Sequence, residues 1–196
     1  MKPPIIPARR IGRLEVFLLA TFTLTYPKLL EKFSAIPILN EQNEAVCVLQ
    51  KVERSSIGKL FNVGILLATQ QALPIHFETR TTLGAPLFRV TPTLLTRGMS
   101  HQLILPDESV IPIQRKMVQL LESSYSFTLD GLIFRFEQDF TSTAYLYCND
   151  QKIASAQVVE NELVKQGIIF KLFESEDTLF LALLAALYQS LFALSK

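Results

Sequence analysis

The sequence predicts a mainly β fold, a closed antiparallel β-barrel wrapped around a hydrophobic C-terminal α-helix. Three observations lead there. After residue 70, short alternating runs of apolar and polar residues are separated by polar turns near 84, 107, 130, 149 and 167, the pattern of an antiparallel sandwich or barrel. From Leu179 to Leu194 the chain is Leu- and Ala-rich, with only Gln189 and Ser190 clearly polar. The 196 residues are 49% hydrophobic and 19% charged, with a mean hydropathy of +0.29. That is more apolar than an ordinary soluble domain, and sized for a single one. Such a chain folds, because it can offset its ordering entropy by burying surface.

The N-terminus comes first in order. Lys2, Arg9, Arg10 and Arg13 precede an apolar run from Val16 to Tyr26, which has the outline of a secretory signal. Glu15 interrupts it, no A-x-A cleavage site follows, and Thr21, Thr23 and Thr25 suit a strand better. Pro3, Pro4 and Pro7 preclude a helix, so residues 1–13 read as a loose Pro/Arg-rich arm and 14–196 as a single barrel domain. Ile36 to Leu39 and Ala45 to Gln50 flank a polar turn, Asn40 to Glu44. Ile75 to Thr82 alternates Ile75 and Phe77 against His76, Glu78 and Arg80, and Leu83-Gly84-Ala85 turns the chain into Leu87 to Val90. Leu103 to Leu105, the turn Pro106-Asp107-Glu108 and Val110 to Arg115 follow. Tyr125, Phe127 and Leu129 then Leu132, Phe134 and Phe136 alternate with polar residues about Asp130-Gly131, the strongest hairpin signal in the chain. Tyr145 to Cys148 and Ile153 to Val159 flank Asn149-Asp150-Gln151, and Ile168, Phe170 and Leu172 close the series after Gly167.

The last segment, about 178–194, is a helix by propensity, capped by Asp177 or Ser175. It has no polar face, so it is either a membrane span or a fully surrounded core helix. A span needs about 20 apolar residues, and this run is shorter, with only Lys196 as a basic flank. A barrel closed around the helix satisfies both elements: inward strand residues meet every face of the helix, and the closed sheet leaves few exposed edges. The alternatives are a C-terminal tail anchor, and a barrel that carries a small apolar ligand in its interior.

The arrangement resembles the tubby C-terminal-like superfamily, in particular the LURP-one-related proteins and their small bacterial relatives. The resemblance lies in Ser56-Ile57-Gly58-Lys59-Leu60-Phe61, in Tyr125 to Phe136, in Ala144 to Ala156, and in Asp177 to Leu187. It covers roughly residues 35–195 and rests on hydrophobic patterns. It implies about twelve strands around a core helix. Bacterial relatives commonly end that helix with an Ile-Asp pair, where this chain has Tyr188-Gln189-Ser190. The first thirty-odd residues read as an addition or as a weakly matched first strand pair.

Chemistry-bearing motifs are scarce. Cys47 and Cys148 form no C-x-x-C, and His76 and His101 form no H-x-x-x-H, so no zinc site is expected. Both cysteines read as small buried hydrophobes, which favours a reducing compartment. Each histidine reads as a surface or strand-end residue. Ser55, Ser56, Ser123, Ser124 and Ser126 lack a G-x-S-x-G context, and seven glycines make no phosphate loop. Glu174, Glu176 and Asp177 suit the positive end of the helix better than a metal. The expectation is therefore no enzyme, no catalytic residue, no cofactor and no metal. Nineteen basic against eighteen acidic side chains leave a net charge of +1, which gives no bulk drive toward nucleic acid. The tubby branch binds phosphoinositide headgroups and the scramblase-like branch associates with phospholipid membranes. The resemblance thus implies a scaffold or binding protein, cytoplasmic and peripheral to the membrane, whose partner is an anionic phospholipid or phosphoinositide. Arg80, Arg89, Arg97, Arg115 and Lys116 come from neighbouring strands or turns and are the candidate headgroup ligands. The competing reading is a solvated surface balanced by Glu78, Asp107 and Glu108.

Overall fold

The structure, a computed structural model, describes residues 19–25, 35–52, 76–93, 99–119, 122–161, 165–173 and 177–192. Twelve strands follow one another: β1 (Ala20–Thr25), β2 (Ala35–Leu39), β3 (Ala45–Val52), β4 (His76–Thr81), β5 (Pro86–Pro92), β6 (Met99–Ile104), β7 (Val110–Gln119), β8 (Glu122–Leu129), β9 (Leu132–Gln138), β10 (Ala144–Cys148), β11 (Gln151–Asn161) and β12 (Lys165–Leu172). Each pairs antiparallel with the next, and β1 pairs with β12 from Ala20↔Leu172 to Thr25↔Gly167, which closes the barrel. β1 is thus a stave of the barrel rather than an addition to it. Helix α1 (Thr178–Leu191) follows.

Side-chain alternation sorts each strand into an inner and an outer face. Phe22 and Leu24, Cys47 and Leu49, Phe134 and Phe136, and Phe170 and Leu172 all face inward and are buried. Inside, α1 buries every residue from Leu181 to Gln189. It packs on β3, β4 and β5 to one side and on β11 and β12 to the other. Where it meets β11 the facing residues are small, Ala154 and Ala156. Across the barrel at β8 and β9, Tyr125, Phe127, Phe134 and Phe136 fill the wider gap. Phe192, just past the helix, meets Tyr125 and Phe136 with ring centroids 5.6 and 5.0 Å apart. The helix therefore occupies the barrel axis. It does not project as a tail anchor. Among the described residues no helix is long and apolar enough to cross a bilayer.

The local chemistry agrees with the chain's course. The Asp177 carboxylate accepts from the Leu179 N–H at 2.9 Å, so Asp177 rather than Ser175 is the cap. Asp130-Gly131 and Asn149-Asp150 carry positive φ at both positions, the two-residue turn whose twist matches paired strands. Asn40 Oδ1 accepts from the Gln42 and Glu44 amides at 3.0 and 2.8 Å, which fixes the β2–β3 turn. Gly167 marks no turn. It lies within β12, opposite Thr25 and Val159, because a glycine between two partners can continue a strand as well as end one. Burial pushes the Cys47 thiol up to about 12, and neither it nor Cys148 is in a disulfide. His101, on β6, sets its ring edge-on to Tyr125 at 6.0 Å. The 1–13 arm and Ser56 to Phe61 lie outside the described residues.

The β9–β10 turn gives a pH expectation. Burial favours the neutral form of Asp139, but donors from Thr141, Thr143 and Tyr145 outweigh it and hold the carboxyl below its ordinary 3.8. A lowered folded-state value adds stability above the unfolded value and loses it as pH falls toward the folded one. Wild-type protein should therefore lose melting temperature below about pH 4 more steeply than Asp139→Asn. Melts at pH 2 to 6 followed by circular dichroism check this, and parallel profiles would refute it.

Candidate functional site

The outer face of β4 and β5 holds the most developed constellation of polar groups. Phe77 and Thr79 face inward, so Glu78 and Arg80 face out. The β4–β5 register sets Glu78 opposite Arg89. Glu78 is only 3% exposed although it is on the outer surface. Two arginines hold it there. Its Oε1 accepts from Nε and Nη2 of Arg80, and its Oε2 accepts from Nε and Nη2 of Arg89 at 2.9 and 2.8 Å. Arg80 also donates from Nη1 to the Gly84 carbonyl at 3.1 Å, which ties it to the β4–β5 turn. Nη1 of Arg89 has no hydrogen-bond partner among the described residues. The three side chains carry one net positive charge, and the two guanidiniums remain partly open to solvent.

Beside this triad the surface is concave. A hollow of about 360 Å³ is walled by Leu87, Ile104, Leu105, Pro106 and Val110, with Glu78 and Arg89 on one side and Glu108 at its edge. Leu83, at the tip of the adjacent β4–β5 turn, is 97% exposed. Its turn is held by Thr81 N–H to Ala85 O at 2.8 Å and Gly84 N–H to Thr81 O at 2.9 Å. The site thus joins fixed guanidinium donors, a hollow with both polar and apolar walls, and an exposed leucine.

The candidates named from the sequence separate here. Arg80 and Arg89 converge on one carboxylate. Arg115 and Lys116 are neighbours on β7 and so face opposite sides of the sheet. Arg115 lies opposite the inward Tyr125 in register yet is exposed, while Lys116 lies opposite Ser124 on the outer surface. Lys116 shares the outer surface with Arg89, with β6 between their strands. Arg97 and the arm residues Arg9, Arg10 and Arg13 lie outside the described residues. Glu78 had the place of a mere balancing charge in the sequence. Its i, i+2 spacing to Arg80 was visible, but its pairing with Arg89 depends on the register of two strands.

A second cationic cluster lies on β9–β11. Arg135 pairs with Glu137 and Asp150 at 3.3 and 3.4 Å and covers the Tyr147 ring, and Lys152 covers Tyr145. Its acids offset its cations. Among the described residues no group of three His, Cys, Asp or Glu could hold a metal ion.

A family model, the Tubby C-terminal like domain, matches residues 22–194, from within β1 to beyond the end of α1. The chain belongs to the tubby C-terminal-like family. No curated protein and no solved structure matches it. As a tubby-like domain it is a closed twelve-stranded barrel with a core helix. Domains of this family are generally non-enzymatic scaffold or binding modules.

Proposed function

We propose that this tubby-like domain docks peripherally on anionic membrane and holds a phospholipid headgroup phosphate at Arg80 and Arg89. The observation behind this reading is the convergence of two guanidiniums on the outer face of the barrel, fixed in orientation beside an exposed leucine and a shallow hollow. A planar guanidinium fork matches phosphate oxygens. Glu78 holds the Arg89 guanidinium in orientation and leaves its Nη1 to meet a first phosphate oxygen. Leu83 can enter the interfacial region of a bilayer while Lys116 adds longer-range attraction. The protein then acts on the cytoplasmic side of the membrane, in keeping with its two free cysteines.

Sedimentation with vesicles of phosphatidylcholine containing phosphatidylserine or a phosphoinositide tests the reading. Binding is expected at low salt and should weaken with added salt. Arg80→Ala with Arg89→Ala should weaken it about thirtyfold, at about 1 kcal/mol per cation near the surface. Indifference of the wild-type protein to acidic lipids and phosphoinositides at low salt would sink it.

A further inference from the structure

The carboxylate of Glu78 occupies the place an anionic ligand of the two arginines would take. It presents two oxygens and one negative charge, and engages both guanidiniums through their Nε and Nη2 edges. An incoming anion that takes those edges must displace it. The displaced carboxylate would then sit in a position with 3% exposure and no cation, which is a costly state. We propose that Glu78 is a tethered internal competitor, and that it makes this site selective for a phosphate monoester over a phosphodiester. The inference rests on the headgroup reading above.

The chemistry of the two ligands decides the direction. A phosphodiester offers two free oxygens and one charge, the same as Glu78, so exchange gains nothing, and the tether favours Glu78. A phosphate monoester offers three free oxygens and a charge of about −1.5 to −2 at neutral pH. It can take Nη1 of Arg89 without disturbing Glu78 and then outcompete the carboxylate for the remaining edge. No bond to phosphorus forms or breaks; the step is an exchange of ion-pair partners.

The test compares wild-type protein and Glu78→Gln on phosphatidylcholine vesicles containing either phosphatidic acid or phosphatidylglycerol, matched for surface charge. Wild type should favour phosphatidic acid about fivefold, and Glu78→Gln should gain about fivefold on phosphatidylglycerol. If Glu78→Gln melts normally and gains nothing, or wild type shows no preference, Glu78 is only a cross-strand bridge and the inference falls while the headgroup reading stands. A second measurement needs no variant. Wild-type binding to phosphatidic acid should rise between about pH 5 and 7 with the second ionisation of the monoester near 6, beyond any change on phosphatidylglycerol; equal profiles overturn the proposal. Titration with inorganic phosphate separates the sources. Phosphate binding without vesicle binding supports the monoester chemistry with a soluble ligand and removes the membrane reading. Binding to neither phosphate nor any vesicle overturns both.

Discussion

Removal of residues 177–196 is expected to abolish cooperative unfolding of the remaining chain. Five leucines of α1, Leu181, Leu183, Leu184, Leu187 and Leu191, are buried inside the barrel. Loss of one such side chain to alanine costs about 2–5 kcal/mol. Together they amount to about 10–25 kcal/mol, as much as or more than the whole stability of an ordinary domain, about 5–15 kcal/mol. The inner faces of the strands would be left lining a void, because the closed hydrogen-bonded ring has no second layer to fold onto. A thermal scan by circular dichroism, with a dye that reports exposed apolar surface, checks this. A sharp transition in the truncated protein would mean that the helix is dispensable to the barrel, as an anchor would be. The single change Leu184→Ala should keep the transition and lower stability by about 2–5 kcal/mol in denaturant titration.

The second large effect is expected at Phe136. Its ring is fully buried on β9 and lies 5.0 Å from that of Phe192. It belongs to the aromatic wall that fills the barrel opposite the helix. β9 is hydrogen-bonded on both sides, to β8 and β10, so the backbone cannot move inward to close a cavity. Phe136→Ala should therefore fall at the upper part of the usual 3–5 kcal/mol for such a change. Ile133, on the same strand, is 61% exposed, and Ile133→Ser should stay within about 0.5 kcal/mol of wild type. Urea titrations of both variants make the comparison. Equal effects would contradict the inward and outward assignment of β9.

Most of the barrel was legible because its signals are local. The alternation of Tyr125, Phe127 and Leu129 identifies β8 and its inward face, and Asp130-Gly131 identifies the turn after it. The tail from Leu179 onward has no polar face, and only surroundings that are apolar on every side explain that. Gly167 misled, because its sequence neighbours do not reveal that two strands flank it. The candidate site was legible only as separate cations. Arg80 and Arg89 were visible as basic residues on adjacent strands, but Arg115 and Lys116 cannot share a face, since consecutive strand residues point apart.

The excess of apolar residues, taken by itself, determined the kind of fold: an all-round apolar helix and a series of half-apolar strands can satisfy each other only by enclosure. Tertiary structure alone decided what the outer surface holds. Strand register placed Glu78 opposite Arg89, which follows an ordinary Glu-x-Arg by nine positions across the β4–β5 turn. A one-residue slip would have turned Arg89 into the core and left Glu78 as an exposed acid. Register is set by the sum of inner-face packing and the β4–β5 turn, not by the charged residues themselves. That is why the enclosed helix could be read from the chain and the buried carboxylate could not.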